Sequence, residues 1–209
     1  MDYSLPEEHF QQKIEMIIEE ALQDKRVRLD IKDFRMREGP GPLSIVECVL
    51  LADSRVTFVT ARGEGIVDAL FTALAHHFRD TCLCLDTVAL DDFTLKTHFK
   101  DSSSARRADA PVEIMLVLKT NLGTRLYFRA KSRSLVSAVI EVVRKSIEFL
   151  INCEKTVTEL YLHIEDLRRD ARRTAEEMRV LKLADVVRVA NFEETIKRVK
   201  WLTQKQPLP

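Results

Sequence analysis

The stretch that decides the fold is ARGEGIVDALFTALAHHF, Ala61 to Phe78. It closes an alternating run that begins at Val56, and from Ile66 onward Val67, Leu70, Phe71, Leu74, Ala75 and Phe78 recur at helical spacing. Gly63-Glu64-Gly65 is therefore the junction where a strand hands over to a helix. Upstream, the apolar run Ser44 to Ala52 meets that strand through the turn Asp53-Ser54-Arg55, which predicts two antiparallel partners. Before the connector Gly39-Pro40-Gly41-Pro42, Val27, Leu29 and Ile31 alternate with polar residues, and the alternation resumes after Asp33 as Phe34 and Met36. That change of phase predicts a bulged first strand and completes a β-β-β-α unit.

The same unit then recurs. Asp33-Phe34-Arg35-Met36-Arg37 aligns with Asp92-Phe93-Thr94-Leu95-Lys96, and Val46-Glu47 with Val112-Glu113. Gly63-Glu64-Gly65-Ile66-Val67-Asp68-Ala69-Leu70 aligns with Ser132-Arg133-Ser134-Leu135-Val136-Ser137-Ala138-Val139. The expectation is an α+β fold of two tandem β-β-β-α units with a pseudo-twofold, over residues 27–80 and 81–151. Two such units have reason to pair, by joining sheet edges or stacking faces, because each helix covers one face of its own sheet only.

Residues 1–26 read as an amphipathic helix with Phe10, Ile14, Ile17, Ile18, Ala21 and Leu22 on one stripe, acidic at its start and basic at its end. Residues 152–209 form a charged extension without glycine, read as one or two long helices with a break near Lys182 to Ala184. Its narrow stripe, Leu160, Ile164 and Leu167, suits packing on the core or pairing with another chain.

Composition excludes several classes. Lys plus Arg and Asp plus Glu are 33 each, so no net field draws nucleic acid or an anionic membrane. No apolar run approaches the roughly 18 to 20 residues of a membrane span, and the start lacks the order of a secretory signal, so a cytoplasmic protein is expected. The histidines His9, His76, His77, His98 and His163 show no metal-ligand spacing, and no nucleophile elbow or phosphate loop is present. The adjacent Asp91-Asp92 faces opposite sides of a strand. Cys82 and Cys84, two apart, share a strand face as buried thiols, since a zinc site would require further ligands at suitable spacing. The chain is read as non-enzymatic, with no cofactor and no metal.

One feature remains with binding chemistry: the first N–H groups of a helix have no internal partners, and the glycines at 63 and 65 permit close approach to them. The tandem pattern, the first junction, the strand motif LDDFTLKTHF with the following ADAPVEIMLVL, and the second junction AKSRSLVSAVIEVV resemble the C-terminal regulatory domain of 2-isopropylmalate and citramalate synthases over about Val27 to Ile151. The resemblance implies a dimeric amino-acid sensor that binds leucine or isoleucine near the dimer interface. It points to Gly63, Gly65, Val67, Asp68 and Ala69 in the first junction, and to Ser132 and Ala138 in the second. Glu64, Arg133 and Ser134 stand at family positions with other residues, and Arg133 adds a cation that favours a ligand anion. The 26 residues before the first strand are far short of the roughly 250 of a catalytic barrel, so the expectation is the regulatory unit without it. It is expected to form a homodimer, to take a small amino-acid or carboxylate ligand, and to engage a protein partner through the C-terminal helices. The alternative is a structural dimerisation or interaction module that binds nothing at the junctions.

Overall fold

The computed structural model describes residues 4–97, 111–169 and 173–205. Helix α1, Ser4–Leu22, precedes strands β1 (Leu29–Glu38), β2 (Leu43–Ala52) and β3 (Arg55–Glu64) and helix α2 (Gly65–Phe78). Strands β4 (Val88–Thr97), β5 (Val112–Thr120) and β6 (Arg125–Ser132) follow, then helices α3 (Leu135–Arg169), α4 (Arg173–Val186) and α5 (Glu193–Lys205). The protein is α+β: two three-stranded antiparallel sheets, ordered β1-β2-β3 and β4-β5-β6, each followed by its helix. Among the described residues the two sheets share no ladder, so the units meet through their helices and not through strand edges.

The repeat is preserved down to its irregularities. β1 shifts register against β2 between Ile31 and Asp33, and β4 shifts against β5 between Leu90 and Asp92. After each bulge an aspartate carboxylate accepts the next backbone N–H: Asp33 from Phe34 at 3.0 Å and Asp92 from Phe93 at 2.8 Å. Phe34 pairs with Cys48 and Phe93 with Leu116, so Val46 corresponds to Ile114. The sequence alignment of Val46 with Val112 is thus two residues out of step; the even displacement kept each residue on its proper face, which is why alternation could not reveal it.

The core lies between the sheets' inner faces and the helices. Val46, Cys48 and Leu50 on β2 and Ile114, Leu116 and Leu118 on β5 are buried, as are Leu70 and Leu74 on α2. α3 is the common spine. Its 35 residues run about 52 Å at 1.5 Å per residue, packing on β5, β6, α1, α2, α4 and α5. Leu160, Ile164 and Leu167 are buried within this one chain, so the late stripe of α3 is covered by the protein's own helices.

Three local expectations are corrected. The basic residues Lys25 and Arg26 lie beyond α1, whose last turn holds none, because the chain leaves the helix through the 3-10 turn Gln23–Lys25. Cys82 and Cys84 are not on a strand; Cys82 precedes a 3-10 helix, Leu83–Thr87, that links the units. The break in the C-terminal helices falls at 187–192 and not at 182–184. Val189, Ala190 and Phe192 turn inward there and are buried, and Asn191 accepts the Glu193 N–H to start α5.

Candidate functional site

The first junction is built by close packing. A Cβ on Gly63 would lie 2.4 Å from the Ala69 backbone nitrogen and 2.7 Å from its Cα, so only glycine lets β3 approach α2 this closely. Gly65 opens α2 at φ +82°, a backbone that disfavours any side chain. Asp68 then bends back: its Oδ2 accepts the Glu64 N–H at 2.8 Å. The carboxylate that a helix start attracts is here supplied by the helix itself. Ala69 is buried and Val67 packs partly against the core, whereas Glu64 is exposed.

The second junction reaches the same geometry with serines. Ser132 Oγ accepts the Ser134 N–H and Ser134 Oγ accepts the Ser137 N–H, each at 3.2 Å. Ser134 caps α3, and its carbonyl accepts the Ala138 N–H at 3.0 Å. Ala138 is buried and Arg133 is exposed. Among the described residues no hydrogen bond or ion pair joins the two junctions. The ten expected binding residues thus form two separate turns, each braced by hydrogen bonds from its own side chains.

A broad concavity lies elsewhere. A cleft of about 820 Å³ opens between the end of α2, the β2–β3 turn, the middle of α3 and α5, and none of the ten junction residues lines it. Its walls mix apolar Phe78, Ile151 and Val199 with Arg55, Lys155 and Arg198. Sequence reasoning missed it because its walls come from four distant segments whose individual patterns are ordinary amphipathic ones.

The four cysteines are buried and unpaired in disulfides. Burial pushes the Cys48 thiol up to about 11 and raises Cys153, while the Cys82 hydrogen bond, then burial, raise Cys84. Such thiols are poor attacking groups. Asp91, at the β4 bulge, pairs with Arg125 at 2.9 Å, and His98 lies outside the described residues. No described helix is long and apolar enough to cross a membrane.

Two polar residues carry unexpected structural weight. Asn152 on α3 accepts the Val27 N–H at 2.9 Å and donates to the Val27 carbonyl at 3.0 Å. Gln11 on α1 does the same to Tyr127, at 2.7 and 3.0 Å, along the free edge of β6. Each side-chain amide stands in for a neighbouring strand, and the second blunts an exposed edge.

Searches against known protein families and against curated proteins give no significant match to this chain.

Proposed function

We propose that the protein is a non-catalytic regulatory-type module of the cytoplasm that works by association with a second copy of itself, biased by a small amino acid or carboxylate metabolite at the strand-to-helix junctions. One observation supports this above others. In each unit the helix covers the two later strands and leaves the far end of the first strand bare on its inner side: Met36 is 37% exposed in β1, and Phe93 and Leu95 are 40% and 42% exposed in β4. Equivalent apolar residues left uncovered in both units are what a twofold partner would cover. The resemblance to the regulatory domain of branched-chain synthases supplies the ligand class; a ligand carboxylate takes the place of the Asp68 carboxylate at the start of α2, or pairs with the exposed Arg133 at the start of α3.

Light scattering of the full chain tests the association, with a dimer expected and a monomer expected for Met36→Ser combined with Leu95→Ser. A thermal-shift series with leucine, isoleucine and their 2-oxo and 2-hydroxy analogues tests the ligand, since a ligand bound by the folded state alone raises Tm. A monomeric wild type, or no shift at millimolar ligand, overturns the corresponding half.

A second reading, a structural dimerisation module with no ligand, is favoured by the capping geometry. Asp68 and Ser134 each already hold one backbone N–H at the helix starts, and an incoming carboxylate must compete with them there. A dimer that shows no thermal shift is its signature.

A further inference from the structure

Two cysteines two residues apart offer only half a metal site, but the fold brings a third donor to them from 70 residues along the chain. Cys82 and Cys84 flank the turn into the 3-10 helix between the units, with their sulfurs 3.5 Å apart. Glu154, on α3, points its carboxylate at the same place, and the three donor atoms lie within 4.8 Å of one another. All three residues are buried, at 2%, 0% and 6% exposure.

The carboxylate is the telling member. A buried carboxylate is costly unless a cation or strong hydrogen bonds compensate it. Among the described residues no lysine, arginine or histidine forms an ion pair with Glu154. Instead its Oε2 accepts the Cys84 N–H at 2.9 Å and its Oε1 accepts the Thr195 hydroxyl of α5 at 2.8 Å. Outer hydrogen bonds of this kind aim a ligating carboxylate.

We propose that Cys82, Cys84 and Glu154 form a site for a thiophilic divalent cation of the zinc class. In a tetrahedral site, Zn–S bonds of about 2.3 Å set two thiolate sulfurs about 3.8 Å apart, close to the spacing already present. Two thiolates and a carboxylate match a borderline-soft cation and not calcium or magnesium. Binding releases a proton from each thiol that is protonated, so affinity rises with pH. Glu154 and Thr195 also line the cleft, so the cluster borders it on the carboxylate side. The bound ion ties together the linker between the units, α3 and, through Thr195, α5. This site is independent of any ligand at the junctions.

The test is a Co2+ titration of the full, metal-free chain under a non-thiol reductant. One equivalent is expected, with thiolate-to-cobalt charge-transfer absorption and the ligand-field bands of a tetrahedral ion, followed by displacement with Zn2+ and a rise in Tm. Cys84→Ser and Glu154→Gln should lose the charge-transfer absorption, Cys48→Ala should keep it, and Thr195→Val should weaken affinity about 10- to 100-fold. A wild-type chain with no thiolate-to-cobalt absorption overturns the proposal without relying on the folding of any variant. So does absorption that survives in a folded Cys82→Ser, Cys84→Ser double variant.

Discussion

Asp68 and Glu64 close the start of α2 on itself: the Asp68 carboxylate accepts the Glu64 N–H at 2.8 Å. Asp68→Ala should lower stability to urea by about 1 kcal/mol, the usual worth of a helix cap. If a metabolite carboxylate takes that place, a 2-oxo acid should raise the Tm of Asp68→Ala more than that of the wild type. Equal shifts would locate the ligand elsewhere.

The two junction glycines should fail differently. Gly63→Ala drives a methyl into the Ala69 backbone at 2.4 Å and should cost about 3 kcal/mol, as an overpacked site does. Gly65→Ala meets nothing within 4 Å but must hold φ +82°, at about 1–2 kcal/mol. Gly39→Ala, with open space around it, should stay within about 0.5 kcal/mol of wild type. Denaturant midpoints for the three variants decide the order.

The paired amides should differ with their access to water. Asn152→Ala strands both backbone groups of Val27 in the interior and should cost about 3 kcal/mol, whereas Gln11→Ala leaves Tyr127 at a sheet edge and should cost about 1 kcal/mol. Hydrogen exchange reads the same difference: the Val27 amide should lose more protection in its variant than the Tyr127 amide does.

Tyr127 gives a pH dependence. Burial, reinforced by its hydrogen bond to Glu7, pushes its hydroxyl up to about 12 from 10.0. The folded state holds this proton more tightly than the unfolded one, so the contribution is complete below pH 10 and is lost as pH rises towards 12. Tyr127→Phe should flatten that part of a stability profile measured by urea midpoint. An unchanged slope would assign the alkaline loss to other groups.

The repeat was legible because its marks are local. The phase change at Asp33 and Asp92 and the apolar spacing after each junction are set by nearest neighbours, and the structure reproduces them. What stayed hidden depends on partners far along the chain. Asn152 and Glu154 read as polar positions on a long helix, yet both are buried, because Val27 in one case and Cys84 with Thr195 in the other satisfy them. The inward turn at 187–192 could not be read either: Val189 and Phe192 look like helix stripe until the core is there to receive them. At the junctions the sequence located both turns, and the structure adds that Asp68 and Ser134 occupy them.

α3 has a consequence for how the chain divides. Its first half completes the second unit, Arg144 and Glu148 hold the start of β1 through the Leu29 carbonyl and N–H, and its last turns receive α4. The seam between the repeats, near residue 80, is therefore a boundary in the sequence that cooperativity ignores. Cutting there should not release two halves that fold alone, and heating should melt the whole protein in one calorimetric transition.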